Sequence, residues 1–141
     1  MSLYLDTSLL VAALTNESAT ARVGDWLRNQ DAARLSISLW VTVELSSALA
    51  LKQRTGQLET DERAEALAEF TRMAANSLTV LPISDLDFHA AARFVDLSTL
   101  GLRASDALHL AISARYGETL CTLDRRLAEA GTALGVRAML V

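Results

Sequence analysis

Five short apolar segments alternate with longer segments of helical periodicity along the chain, and this alternation limits the possible folds more than any other feature. The strand-like segments are 3–5, 34–38, 78–83, 119–124 and 136–140. Helices are predicted over about 8–14, 19–30, 39–51, 60–76, 85–97 and 104–114, with a last one from 125. Strands that alternate with helices are typical of βα units with right-handed crossovers, so we expect an α/β fold around a parallel sheet.

One domain covering residues 1–141 is the predicted organisation, since a chain of this length can bury a core of its own. The composition, 51% hydrophobic and 21% charged, indicates a globular rather than a disordered chain. No apolar run reaches the ~18 residues of a membrane span. Strand signal at Leu3 leaves no room for a signal peptide. We therefore expect a cytoplasmic protein without membrane association.

The charge balance and the cysteine count exclude some classes of function. A net charge of −4 argues against binding of nucleic acid over the whole surface, although a local basic rim remains possible. The only cysteine, Cys121, excludes an internal disulfide and a zinc site built from cysteines. Its place in an apolar strand is typical of an inert core thiol.

Four acidic residues occupy unusual places in this pattern. Asp6 and Asp124 each end a predicted strand, Asp106 lies in the first turn of an apolar helix, and Glu44 interrupts a nearly all-apolar helix. Asp6 has a second explanation, because aspartate is a favoured helix N-cap. The helix dipole alone would also favour Asp106. A helix as apolar as the one around Glu44 is expected to be packed on most sides, where a carboxylate is costly unless it is paired, protonated or bound to a metal.

These four acids can share one site. In a parallel sheet, the carboxyl ends of strands and the following helix N-termini lie at one edge, so Asp6, Asp106 and Asp124 can converge there, and Glu44 joins them if its helix packs beside the first strand. Two carboxylates ~4 Å apart repel by about 4 kcal/mol at an effective dielectric constant of 20, so such a cluster requires raised pKa values or a cation. Oxygen ligands favour Mg²⁺ or Mn²⁺, which can activate water for phosphodiester hydrolysis.

Two other polar features have ordinary structural explanations. His109 lies one helical turn after Asp106, and we expect a hydrogen-bonded core or groove histidine rather than a metal ligand. Asp85 and Asp87 suit the start of the helix over 85–97, where negative charge is favourable.

Four segments resemble those of the PIN-domain ribonucleases, in particular the VapC-type toxins of toxin–antitoxin pairs. The segments are Leu5–Ser8, the lone Glu44, Arg103–Ala111 and Thr122–Leu127. The resemblance covers the whole chain and implies a three-layer fold, a five-stranded parallel sheet flanked by helices. It further implies a Mg²⁺- or Mn²⁺-dependent endoribonuclease that forms a homodimer and is inhibited by a cognate antitoxin protein.

The resemblance also assigns roles to residues. Asp6, Glu44 and Asp106 match the three core acids of the family, and Asp124 matches a fourth, more variable one, so all four are the predicted catalytic and metal-binding residues. Thr122, and with it Ser8, match supporting hydroxyl positions. The predicted contacts to RNA phosphates or to an antitoxin are Arg103, Arg125 and Arg126, each of which could instead pair with the site acids or face solvent.

Two alternatives to the nuclease remain to be weighed. A PIN-like fold retained only for binding or dimerisation predicts the loss of at least one acid, and all four are present. Phosphoryl transfer through an aspartyl nucleophile at Asp6 calls for a second acid two residues later, where the chain has Ser8. Nothing in the sequence reads a 2′-hydroxyl, so the preference for RNA over DNA rests on the resemblance alone.

Overall fold

A five-stranded parallel sheet forms the centre of the molecule, with strand order β3-β2-β1-β4-β5. The structure is a computed structural model that describes the backbone of residues 1–141 and every side chain except that of Ser98. The strands are β1 (Leu3–Leu5), β2 (Leu35–Ser38), β3 (Thr79–Leu81), β4 (Thr119–Thr122) and β5 (Ala138–Leu140). The helices are α1 (Thr7–Leu14), α2 (Thr20–Arg28), α3 (Leu39–Arg54), α4 (Thr60–Asn76), α5 (Asp85–Asp96), α6 (Ala104–Tyr116) and α7 (Arg125–Ala133).

The predicted α/β architecture is confirmed: seven helices flank the parallel sheet in a single three-layer fold. Each predicted strand and helix is present, with its ends shifted by a few residues at most. The expected loop after α5 contains one short 3-10 turn, Ser98–Leu100. Across the described residues, no helix is both long enough and apolar enough to cross a bilayer.

The three inner strands, β1, β2 and β4, are buried along their whole length. β1 is Leu-Tyr-Leu, whereas β2 and β4 also bury polar side chains such as Ser38 and Thr122, which are hydrogen-bonded as buried polar groups need to be. Cys121 of β4 is fully buried, and burial, with the nearby charges of Asp6 and Glu118, raises the pKa of its thiol to about 12. The thiol is therefore an unreactive core group, as predicted. Pro82 directly follows β3 at the edge of the sheet, where a missing N–H disrupts no inner ladder.

The expectation that α3 is packed on most sides is wrong for this chain alone. Val41, Leu45 and Leu49 are buried, but Leu39 and Val43 are more than half exposed. An apolar pattern on all faces of a helix predicts that the helix is buried. It does not predict whether its own chain or a second molecule buries it.

Candidate active site

The order in which the chain adds strands to the sheet reverses at β1. This switch point brings two of the predicted acids together. The chain places β2 and β3 on one side of β1, then β4 and β5 on the other, so the carboxyl ends of β1 and β4 lie side by side. Open α/β sheets bind ligands in the crevice outside such a switch point. Leu5 pairs with Cys121, and the backbone N–H of Asp6 donates to the carbonyl of Cys121 at 3.1 Å. Asp6 and Asp124 follow the ends of these two strands.

Asp6 is the most deeply placed of the four acids, at 4% exposed. Its Oδ1 accepts hydrogen bonds from the backbone N–H of Ser8 at 3.0 Å and from Ser8 Oγ at 2.5 Å. Its Oδ2 accepts from Thr122 Oγ1 at 2.6 Å. Asp6 is also the N-cap of α1, which confirms the capping explanation. Burial raises the pKa of the Asp6 carboxyl, an effect that the hydrogen bonds from Ser8 and Thr122 reduce but do not reverse.

The two predicted supporting hydroxyls connect the turns after β1 and β4. Thr122, which is fully buried, donates to Asp6 and accepts from the backbone N–H of Asp124 at 3.0 Å. Ser8 donates to Asp6 and accepts from the backbone N–H of Leu123 at 3.1 Å. Each hydroxyl thus fixes the position of Asp6 relative to the turn that carries Asp124.

Asp124 and Asp106 line one small depression beside this turn. Asp124 caps α7, because its Oδ1 accepts from the backbone N–H groups of Arg126 at 2.9 Å and Leu127 at 3.3 Å. Asp106 lies in the first turn of α6, and its side chain is 24% exposed. Burial raises the pKa of the Asp106 carboxyl, the charges of Asp124 and Asp6 raise it further, and the charges of His109 and Arg103 oppose the rise.

Glu44, on α3, is held differently. Its Oε1 accepts hydrogen bonds from Thr7 Oγ1 at 2.7 Å and from His109 Nε2. Burial acts to raise the pKa of the Glu44 carboxyl, but the hydrogen bond and charge of His109, with the hydroxyls of Thr7 and Ser105, outweigh it, so the pKa lies below its ordinary value.

An open groove of about 490 Å³ lies beside two of the acids. Glu44 and Asp124 both line it, together with Thr7 and Ser8, and Asp124 also borders the depression that holds Asp106. A larger groove, of about 620 Å³, lies between α1 and α4, away from these acids. Of these two grooves, the smaller one is therefore the one that the candidate acids line.

The predicted arginines divide into two groups. Arg103 and Arg126 line the same depression as Asp106 and Asp124, and Arg103 Nε lies 4.0 Å from Asp106 Oδ2. Arg125 instead lines a separate groove between α7 and β5. The structure therefore brings two of the three arginines to the acids and leaves Arg125 apart.

Sequence reasoning did not identify the residues that hold Glu44. Thr7 lies within the segment Leu5–Ser8, and nothing in the local pattern links it to a residue in α3. His109 is 1% exposed and hydrogen-bonded, which confirms the prediction of a hydrogen-bonded histidine in the core. The one sequence signal for its contact with Glu44 is indirect: His109 lies one helical turn after Asp106, which was predicted to share a site with Glu44.

The donor chemistry of the site fits a hard divalent cation, with carboxylate oxygens and two carboxyls whose pKa values are raised. Within the described side chains, however, no three acidic, histidine or cysteine groups lie close enough together to hold one ion. Asp6 is instead hydrogen-bonded to the hydroxyls of Ser8 and Thr122, and Glu44 to Thr7 and His109. The residue types and their charge fit Mg²⁺ or Mn²⁺, and binding would require these side chains to adjust.

Comparison with known proteins identifies the family to which this fold belongs. The family model of the PIN domain matches residues 3–132. A comparison with curated proteins finds no match.

Several solved structures share the fold. FitAcB from Neisseria gonorrhoeae has a TM-score of 0.72 and 21% identity, over 97% of this chain and 96% of that one. VapC20 from Mycobacterium tuberculosis, a sarcin-ricin loop cleaving toxin, has a TM-score of 0.72 and 18% identity, over 92% and 95%. VapBC-5 from the same organism, a member of the VapBC family of toxin–antitoxin systems, has a TM-score of 0.65 and 23% identity over 100% of both chains. Because the family model spans nearly the whole sequence and the folds agree, this chain belongs to the PIN domain family.

Proposed function

We propose that this protein is a Mg²⁺- or Mn²⁺-dependent endoribonuclease that acts as the toxin of a toxin–antitoxin pair. The observation that carries the proposal is the set of acids at the switch point of the sheet. Burial raises the pKa of Asp6 there, and burial with the charges of Asp124 and Asp6 raises the pKa of Asp106. Perturbed acids in a crevice are typical of functional sites. Membership of the PIN family and the shared fold with toxins such as VapC20 support the same reaction.

The chain's own residues have distinct tasks in this proposal. Asp6, Glu44, Asp106 and Asp124 would hold the metal, which when bound would activate a water and stabilise charge on a phosphoryl oxygen. Thr122 and Ser8 keep the Asp6 carboxylate in one orientation through the hydrogen bonds described above.

Two of the arginines supply positive charge beside the acids. Arg103 and Arg126 lie beside Asp106 and Asp124, and their guanidinium groups can pair with the phosphates that flank the cleaved bond. Arg125, on another surface, suits the antitoxin better than the substrate. Because the net charge is −4, binding of RNA would depend on this local rim rather than on the overall field.

Exposed apolar side chains support the proposed protein partners. Leu39 and Val43 of α3, and Leu86 and Phe88 of α5, are each more than half exposed. Large apolar side chains left exposed on a helix are suited to a protein interface. We assign them to the homodimer or to the antitoxin.

The first experiment is cleavage of a structured RNA pool by the purified chain with Mn²⁺, with Mg²⁺ and with EDTA. We expect metal-dependent cleavage that Asp106→Asn reduces by more than the roughly 10–100-fold typical of changes outside the metal ligands. Asp61→Asn, at the exposed start of α4, makes the same charge change on a helix that carries none of these acids and should cleave at the wild-type rate. A parallel assay with single-stranded DNA as the substrate tests the preference for RNA.

A catalytically silent binding or dimerisation module is the second candidate. The observation that favours it is that no three described acidic, histidine or cysteine groups are gathered around one point. This alternative predicts no metal-dependent cleavage and no binding of Mn²⁺ by the folded chain. Calorimetric titration with Mn²⁺ on the same sample therefore separates the two functions even when the RNA pool lacks the substrate.

A further inference from the structure

A line of four polar side chains crosses the core behind the active site and ends at Glu44. Ser38 Oγ and Tyr4 OH are 2.8 Å apart, and Tyr4 OH lies 2.8 Å from His109 Nδ1. His109 Nε2 is hydrogen-bonded to Glu44 Oε1. Ser38, Tyr4 and His109 are between 0% and 1% exposed, so the line runs through the packed interior from β2 through β1 to α6.

The hydrogen bond between Ser38 and Tyr4 takes the place of an ordinary helix cap. Ser38 is the N-cap residue of α3, where a serine side chain usually accepts a hydrogen bond from the first turn of the helix. Here its side chain makes no capping hydrogen bond and is directed to Tyr4 instead. The hydroxyl therefore stabilises the buried line rather than the helix end.

The chemistry of the groups fixes the direction of the last hydrogen bond. The Glu44 carboxylate can only accept, so His109 Nε2 carries the hydrogen and donates it. Nδ1 then pairs with the Tyr4 hydroxyl, whichever of the two holds the shared hydrogen. Burial raises the pKa of the Tyr4 phenol, which therefore stays protonated. The two rings also touch, with centroids 5.6 Å apart, which limits rotation of the imidazole.

Glu44 gains a defined orientation from this contact. A glutamate side chain has three rotatable bonds, and Glu44 is still 24% exposed to the groove. Thr7 of α1 and His109 of α6 both donate to Oε1. With one oxygen held twice, the carboxylate has a single direction toward the groove.

We propose that His109 is a positioning residue of the nuclease site: its Nε2–H orients Glu44 for metal binding, while Tyr4 and Ser38 fix the imidazole ring. This inference rests on the proposed function, in which Glu44 is a metal ligand. Groups outside the metal ligands commonly orient them, and their loss costs 10–100-fold in metal affinity or activity.

The test compares Mn²⁺ binding by calorimetry among His109→Leu, His109→Gln and Tyr4→Phe, with circular dichroism to confirm folding. We expect His109→Leu to bind Mn²⁺ about 10–100-fold more weakly. His109→Gln should lose less, because its amide can still donate to Glu44, and Tyr4→Phe should be intermediate. His89→Gln, on the exposed face of α5, is the matched control and should bind as the wild type does.

A second readout needs no metal. The chain has two histidines, so the His89→Gln protein shows the side-chain nitrogens of His109 alone in long-range ¹H–¹⁵N spectra recorded in EDTA. We expect a protonated Nε2 whose resonance shifts in Glu44→Gln. This readout tests the Nε2–H donation that the inference requires, whereas weaker Mn²⁺ binding by folded His109→Leu is the effect that a purely structural histidine would not produce.

The outcomes separate this inference from the proposed function. Folded His109→Leu that binds Mn²⁺ as tightly as the wild type, or a His109 whose Nε2 carries no hydrogen, overturns the inference alone. If His109→Leu does not fold, Tyr4→Phe decides, and wild-type affinity in that variant overturns it. Wild-type protein that binds no Mn²⁺ overturns the proposed function and this inference together.

Discussion

Two aspartates are almost completely buried in this protein, and they are held in opposite ways. Asp87, in the first turn of α5, is 1% exposed and accepts hydrogen bonds from the Arg115 guanidinium at 2.6 and 2.8 Å. Asp6 is 4% exposed, and its described partners are neutral: the Ser8 backbone N–H and the hydroxyls of Ser8 and Thr122. One buried carboxylate has a cation from its own chain, and the other has neutral donors.

The pKa values of the two carboxyls respond accordingly. Burial acts to raise the pKa of Asp87, but the hydrogen bonds and charge of Arg115 bring it below its ordinary value. Burial also raises the pKa of Asp6, and its neutral partners do not compensate. The difference teaches that Asp87 is a structural residue, which joins α5 to α6, whereas Asp6 keeps an uncompensated charge that suits an external cation.

The largest expected effect is on catalysis. Asp6→Asn should abolish metal-dependent RNA cleavage, with a loss greater than the roughly 10–100-fold typical of changes outside the metal ligands. The fold should remain, because asparagine also caps helices well and can still accept from the Ser8 backbone N–H. Initial cleavage rates and the circular dichroism spectrum measure both effects. A cleavage rate near that of the wild type would remove Asp6 from the active site.

The second effect is on stability and concerns Asp87. Asp87→Asn leaves the Arg115 guanidinium without its carboxylate, so we expect the free energy of unfolding to fall by about 1–3 kcal/mol, measured by urea titration. RNA cleavage by the protein that remains folded should be unchanged, since the pair lies away from the acids of the site. Asp25→Asn breaks the exposed pair with Arg28 and is the matched control, with an expected cost of about 0–1 kcal/mol. Equal costs for the two variants would contradict a special role for Asp87.

The same two aspartates show how far the sequence leads. The alternation of strands and helices predicts the parallel sheet, and the positions of Asp6 and Asp124 after two strands predict that they meet if those strands are neighbours. Asp87 was expected only at a helix start. It does occupy the first turn of α5, but its burial against Arg115 depends on how α5 packs on α6, over a separation of 28 residues.

For Glu44, the sequence predicted the site but not the side chain that holds it. Its isolation in an apolar segment identified it as unusual, and the resemblance to PIN domains assigned it to the site. Its partner His109 lies 65 residues away in sequence, and the contact depends on the rotamers of two side chains and on the packing of α3 and α6 across the sheet. No local pattern encodes such a contact, so the line from Ser38 to Glu44 became visible only in three dimensions.

The smallest expected effect is the pH dependence of stability, and it distinguishes the two aspartates by sign. The pKa of Asp6 is higher in the folded chain than its ordinary value of 3.8, so folded protein holds this proton more tightly than unfolded protein does. The stability that this provides is complete below pH 3.8 and is lost as the pH rises through the folded-state pKa. For Asp87, whose folded-state pKa is lowered, stability is present above 3.8 and is lost only as the pH falls through that lower value.

Urea titrations in EDTA between pH 4 and pH 7 should therefore give two different profiles. The free energy of unfolding of the wild type relative to Asp6→Asn should decrease as the pH rises, because only the wild type must ionise a buried carboxyl. Relative to Asp87→Asn, the wild-type value should stay nearly constant over the upper part of this range, since Asp87 is already ionised there in both the folded and the unfolded state. Saturating Mn²⁺ should reverse the first trend by stabilising ionised Asp6, and should leave the second unchanged. Parallel profiles for the two variants would show that the surroundings of Asp6 compensate its charge as fully as Arg115 compensates that of Asp87, and Asp6 would then need no external cation.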